Sequence, residues 1–374
     1  LDSDGDQIGD VCDNWDGRNG VITQIGLDID GEAAGDGSGQ SVSLSSDGSI
    51  VAIGASFNGD NSGHVRVYQL VDSSWTQLGG DIDGEAADDF SGESVSLSSD
   101  GTIVAIGATG NDAVGNRSGH VRVYEWDDTS WTQIGGDIDG DQGGNRSGTV
   151  SLSSDGTIVA IGAVFGNRAL GSSIFTSTGH VRVYEWDNNS WTQLGEDIDG
   201  EAAQDYSGRT VSLSSDGNIV AIGADGNDGN GINSGHVRVY QWDIANSSWT
   251  QIGGDIDGEA EGDYSGRYVS LSSDGSIVAI GSINNDGNGE RSGHVRVYEW
   301  DNSSWTQIGN DIDGEAADDH SGLSVSLSSD GNIVAIGADG NDGNGDGSGH
   351  VRVYEWDNTS WTQIDSDIDG EAAG

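Results

Sequence analysis

The chain has no proline, no methionine and no lysine, and a single cysteine, Cys12, in 374 residues. With one cysteine, no disulfide can close within the chain. With no lysine, all 13 basic residues are arginine, set against 64 acidic ones. The net charge of −51 repels nucleic acid and anionic membrane surfaces at long range, so neither is expected as a partner. Self-repulsion of that size also opposes a compact fold unless counter-ions gather, which points to divalent cations or a saline medium. There is no run of about 18 apolar residues, so no membrane span is expected. No signal peptide is visible and the chain opens on Leu1, which predicts an internal or processed fragment. Catalytic fingerprints are missing too: no G-x-S-x-G elbow, no HExxH helix, no Walker loop and no dinucleotide motif. The expectation is a protein that is not an enzyme.

What the chain does have is repetition. The anchor SGHVRVY, once varied to TGHVRVY, places histidines at 64, 120, 180, 236, 294 and 350, so that one unit of about 56 residues recurs six times. A repeat of this period cannot bury its apolar face alone and must stack on its neighbours. Each copy holds four short runs between Gly, Asp, Asn and Ser clusters. In the fourth copy they are TVSLSS (210–215), IVAIGA (219–224), HVRVYQW (236–242) and SWTQIGGDI (248–256). Most are rich in β-branched and aromatic residues and none reaches helical length. Ser-Asp-Gly joins the first two and Asp-Asn-Ser-type links join the last two, both suited to tight turns. Four antiparallel strands repeated six times predict an all-β fold, a β-propeller of four-stranded blades. Residues 20–29 (GVITQIGLDI) match only the fourth strand of the unit. That surplus predicts six complete blades plus a partial seventh, with a closed six-bladed ring as the alternative. Open edges that join copies of the chain into a fibre are a third possibility.

In HVRVYEW the side chains alternate, so His, Arg, Tyr and Trp share one side. The repeat arginines, Arg66, Arg122, Arg182, Arg238, Arg296 and Arg352, need partners there, and the carboxylates of the recurrent DIDG are expected to supply them. The reading favoured is a blade-to-blade polar lattice, with a ring of ligand sites as the lesser one. Three places break or decorate the repeat. The head, 1–19, carries Asp2, Asp4, Asp6, Asp10 and Asp13, spaced so that a looped chain can aim several oxygens at one calcium ion. Acidic loops after the second strand carry Asp225 and Asp228 in copy four, and Asp339 and Asp342 in copy six, as weaker calcium candidates. The insertion at 164–179 carries Phe165, Leu170, Ile174 and Phe175 where other copies are polar, a candidate partner contact.

These residues support two resemblances. The repeats, with Phe90-Ser91-Gly92, Tyr206-Ser207-Gly208, Tyr264-Ser265-Gly266, the Ile-Gly-Ala at 106–108 and GHVRVY, resemble the FG-GAP repeats of integrin α-type propellers across about residues 22–374. The head, ending in Cys-Asp-Asn, is similar to a thrombospondin type 3 repeat, which divides the chain into 1–19 and 20–374. The resemblance implies an extracellular adhesion or recognition module that uses calcium and meets a protein or glycan ligand on another surface, or copies of itself. In integrin-type blades calcium sits in an Asp-rich hairpin between the first two strands. Here that hairpin is only Ser-Ser-Asp-Gly, too short to wrap an ion, so that site does not carry over.

Overall fold

A computed structural model describes residues 22–166 and 177–370. Six four-stranded antiparallel blades stand in a ring, a six-bladed β-propeller. Blade 2 is representative: Ser91–Leu97, Ile103–Ala108, His120–Trp126 and a fourth strand in two pieces, Trp131–Gln133 and Ile138–Asp139. Helix is confined, among the described residues, to one kinked turn at Asn58–Asn61. The four runs read in copy four become Thr210–Leu213, Ile219–Ala224, His236–Asp243 and Ser248–Gln251.

The core lies between blades. Ala105, Val121, Val123 and Ile138 of blade 2 pack against Val150, Leu152, Val159, Ile161 and Tyr184 of blade 3, and four further layers repeat this arrangement. The second strand, IVAIGA, is therefore buried on both faces, which explains why it is apolar at nearly every position. The serines of VSLSS are part of the same junctions. Ser43 Oγ accepts the Leu97 N–H at 2.9 Å, Ser96 Oγ accepts that of Leu152 at 2.9 Å, and Ser151, Ser212 and Ser270 repeat the contact with Leu213, Leu271 and Leu327. The next serines link turn to turn, with Ser99 N donating to Ser154 O at 2.7 Å.

Glycine is required where blades meet. Gly119 sits at φ +73° beside Ser147, and a Cβ there would lie 2.1 Å from the Ser147 carbonyl oxygen. At the outer edge the tryptophans of one blade hold its predecessor: Trp126 and Trp131 pack with centroids 5.4 Å apart, and Trp131 Nε1 donates to Leu78 O at 2.8 Å.

The junction of the last and first blades differs from the other five. Val42 and Leu44 of blade 1 are 60% and 58% exposed, against 8% and 7% for their equivalents Val95 and Leu97. The other side of blade 1's core, Val51, Ile53 and Tyr68, packs among the described residues against Ile29 and Trp75. The partial seventh blade expected from 20–29 is not seen as a strand: residues 22–29 are unpaired in any sheet. They instead lie against blade 1 as each fourth strand lies against the following blade, since Trp75 Nε1 donates to Ile25 O at 3.1 Å. With no third strand beside it among the described residues, this segment keeps the fourth strand's contacts without its sheet.

Candidate functional site

The turns come first, because they use most of the aspartates. In each Ser-Asp-Gly hairpin the carboxylate closes its own turn: Asp100 Oδ1 accepts from Ser98 Oγ, Thr102 N and Thr102 Oγ1 at 2.7–3.0 Å. A carboxylate so occupied is a poor cation ligand, which agrees with the hairpin being too short for the integrin-type site. The links between third and fourth strands work alike. Asp301 is held down to about 2 by hydrogen bonds from Ser303 Oγ and from the Ser304 and Ser303 N–H groups. In the DIDGEAADD loop the last aspartate is buried, and Asp319 Oδ2 accepts the Glu315 and Ala316 N–H groups at 3.1 and 2.9 Å.

The calcium candidates fall into three situations. Asp2, Asp4, Asp6, Asp10 and Asp13 lie outside the described residues. Asp225 is buried between two arginines, its Oδ2 3.8 Å from Arg209 Nε and 3.4 Å from Arg267 Nη1. Burial pushes its carboxyl up, and the two guanidinium groups oppose that shift. Asp228, Asp339 and Asp342 are exposed. Asp228 Oδ1 and Asp342 Oδ1 each accept one loop N–H at 2.8 Å, from Asn233 and Gly347, and Asp339 lies 3.3 Å from His320 Nδ1. Of the apolar insertion, Phe165 is described and is half-buried, edge-on to Tyr206 at 5.6 Å with the Arg146 guanidinium 5.0 Å over its ring. It thus packs on the neighbouring blade. Leu170, Ile174 and Phe175 lie outside the described residues.

The repeat arginines do find partners in DIDG, but not the expected ones. Arg122 Nη2 donates to the backbone carbonyl of Asp83 at 2.7 Å, and its Nη1 lies 3.8 Å from Glu85 Oε1, the glutamate that follows DIDG. Its Cζ sits 5.5 Å over the Tyr124 ring. Arg238, Arg296 and Arg352 repeat the whole pattern. The short DIDG strand turns its carbonyl toward the guanidinium, so a main-chain oxygen takes the place assigned to a carboxylate.

That arrangement gathers three other side chains in each repeat. Glu85, His120 and Asp137 bring one ligand atom each within 4.8 Å of one another, as do Glu32, His64 and Asp81, and four more such groups. The histidine opens the third strand, the aspartate opens the DIDG of the same blade, and the glutamate comes from the link before it. The imidazole is buried and the carboxylates stand part-exposed in front of it. Burial, and next the nearby Arg238, lower His236 to about 4, and burial with Arg296 does the same for His294. Both effects favour the neutral form of these two rings. The sequence does not group Glu with His and Asp, because in the second repeat the glutamate lies 35 positions before the histidine and the aspartate 17 after it, and only the topology joins them.

No family model matches the chain, and no curated protein matches it. Solved structures do. The chain is similar to the Kuenenia stuttgartiensis hydrazine synthase at 14% identity and TM-score 0.56, over 90% of this chain and 81% of that one. It is also similar to a protein of Bacteroides fragilis described as a putative 6-phosphogluconolactonase, at 14% identity and TM-score 0.61 over 91% and 86%. A Bacteroides uniformis protein of the same description matches at 13% and 0.56, over 88% and 85%. At these identities the likeness is one of fold.

Proposed function

We propose that this propeller is a non-enzymatic recognition and adhesion module of a secreted or surface protein, stabilised by calcium, with a protein or glycan on another surface as its ligand. The observation that carries the reading is where the repeat-locked polar groups go. Arginine, tryptophan and serine of each copy are used between blades, so the outward chemistry of the ring is its acidic loops. Asp228 and Asp342 are exposed, each with one oxygen accepting a loop N–H, which suits them to meet a hard cation from solvent. The resemblance to FG-GAP and type 3 repeats agrees in direction. The test is a glycan and extracellular-protein array probed with the purified chain, with calcium and with chelator. Calcium-dependent retention on a defined ligand supports the module. Binding nowhere, together with a melting temperature indifferent to chelator, refutes both the recognition role and the calcium.

A second reading is favoured by the differing junction: a structural subunit of an extracellular filament or surface layer, joined through propeller edges. Val42 and Leu44 on one side of that junction are the same residues that every other junction covers. Electron microscopy separates the two readings. Discrete rings sink the filament, and ordered fibres support it.

A further inference from the structure

The Glu–His–Asp groups are held in a way that the scaffold does not require. In the last two repeats the aspartate has one oxygen bonded by a glutamine, the glutamate has one oxygen facing an arginine, and the other oxygen of each is turned to the imidazole. Arg296 Nη1 faces Glu259 Oε1 at 3.8 Å, while Glu259 Oε2 lies 4.0 Å from His294 Nδ1. Gln307 Nε2 donates to Asp311 Oδ1 at 2.7 Å, while Asp311 Oδ2 lies 3.9 Å from the same Nδ1. The last repeat is alike, with His350 Nδ1 3.9 Å from Glu315 Oε2 and 3.8 Å from Asp367 Oδ2, and with Gln363 on Asp367 Oδ1 at 2.7 Å. These separations are too long for hydrogen bonds. His120, His236 and His294 are each 1% exposed, and neither ring nitrogen of any of them has a hydrogen-bond partner. A buried nitrogen left unpaired in front of two carboxylate oxygens costs stability unless something bridges them.

We propose that each Glu–His–Asp group is a binding site for one divalent transition-metal ion of the Zn2+ class, six per chain. With the imidazole nitrogen 3.8–4.0 Å from each carboxylate oxygen and the two oxygens within 4.8 Å of one another, the three donors surround a point roughly 2.3–2.5 Å from each, and a contraction of a few tenths of an ångström reaches the 2.0–2.2 Å of zinc bonds to nitrogen and oxygen. The imidazole decides the class of ion, because calcium and magnesium take oxygen ligands while a mixed nitrogen and carboxylate set suits zinc and its neighbours. Arg296 and Gln307 act as the outer partners that orient the ligating carboxylates. The half-exposed glutamate leaves a path from solvent and room for water as a fourth ligand. In the third repeat Asp141 replaces the glutamate and the ring presents Nε2 instead, 3.9 Å away. This proposal is independent of calcium at the rim loops.

Zinc titration of the full chain by calorimetry, in millimolar calcium to fill the acidic surface, tests it. The expected result is saturable binding near six ions per chain, with Glu201→Gln and Glu259→Gln each removing one site while the melting temperature of the metal-free protein stays close to that of the parent. Co2+ in place of Zn2+ is expected to give visible absorption of a nitrogen- and oxygen-ligated ion, reduced by about one sixth in either variant. Binding that calcium competes away, that does not saturate, or that is unchanged in both variants overturns the proposal and assigns the zinc to the acidic surface.

Discussion

Replacing Arg238 by methionine tests the reading of the repeat arginines as scaffold. The guanidinium is buried, donates to the Asp199 carbonyl at 2.8 Å, faces Glu201 at 3.8 Å and lies 5.5 Å over Tyr240. A hydrogen bond from a charged group contributes about 1.5–3 kcal/mol. The contact with the tyrosine ring adds about 0.5–2 kcal/mol. Relief from burying a charge offsets part of this, since an apolar side chain of similar volume removes the desolvation penalty. The expected net loss is about 2–3 kcal/mol, read by equilibrium denaturation with tryptophan fluorescence. Arg238→Lys falls between, because an ammonium cannot hold the carbonyl and the carboxylate in one planar fork. Glu201→Gln is the control: its partner contact is long and half-exposed, so the loss stays under about 1 kcal/mol. A loss below about 0.5 kcal/mol for Arg238→Met, or an equal loss for Glu201→Gln, refutes the scaffold role.

Three further outcomes follow from the blade contacts and the turns. Gly119→Ala places a Cβ on the Ser147 carbonyl at a left-handed φ, and is expected to destabilise by more than about 2 kcal/mol in thermal or chemical unfolding; a neutral change contradicts the close approach. Trp131→Ala is expected to cost about 2–4 kcal/mol and to weaken the far-ultraviolet exciton signal of the tryptophan pairs, while an intact signal contradicts the pairing. Asp301, held at about 2 in the fold against an ordinary 3.8, contributes stability that is fully present above about pH 4 and is lost as pH falls toward 2. Asp127, Asp187, Asp243 and Asp357 are lowered in the same sense by the same kind of turn. Carboxyl NMR titration checks this, and a midpoint near 4 for Asp301 contradicts it.

Much of the fold was legible because one period repeats six times and its strands differ in pattern. The nearly unbroken apolar run IVAIGA is the pattern of a strand covered on both faces, and Ile103–Ala108 is one. The blade-to-blade use of Arg and Trp was legible from their alternation along HVRVYEW. What could not be read was any feature that depends on which main-chain atom faces a side chain. Arg122 meets a carbonyl of DIDG rather than its carboxylate because the pleat of the short strand Ile82–Asp83 sets that direction, not the residue type. The Glu–His–Asp groups were hidden for a related reason: their members come from a link, a third strand and a fourth, which only the blade brings together. The role of the VSLSS serines in accepting the next blade's Leu N–H appears only once blades are stacked.

The central claim is that the fold is held between its blades, and that among the described residues the junction of the last and first blades lacks the serine-to-leucine contacts of the other five. Hydrogen exchange of the purified chain, followed by mass spectrometry, tests it most directly. The Leu97, Leu152, Leu213, Leu271 and Leu327 amides, each bonded to a serine of the preceding blade, are expected to exchange slowly, and the Leu44 amide, on the exposed strand Ser38–Leu44, much faster. Equal protection of 38–44 and 91–97 in a monomeric sample contradicts the account.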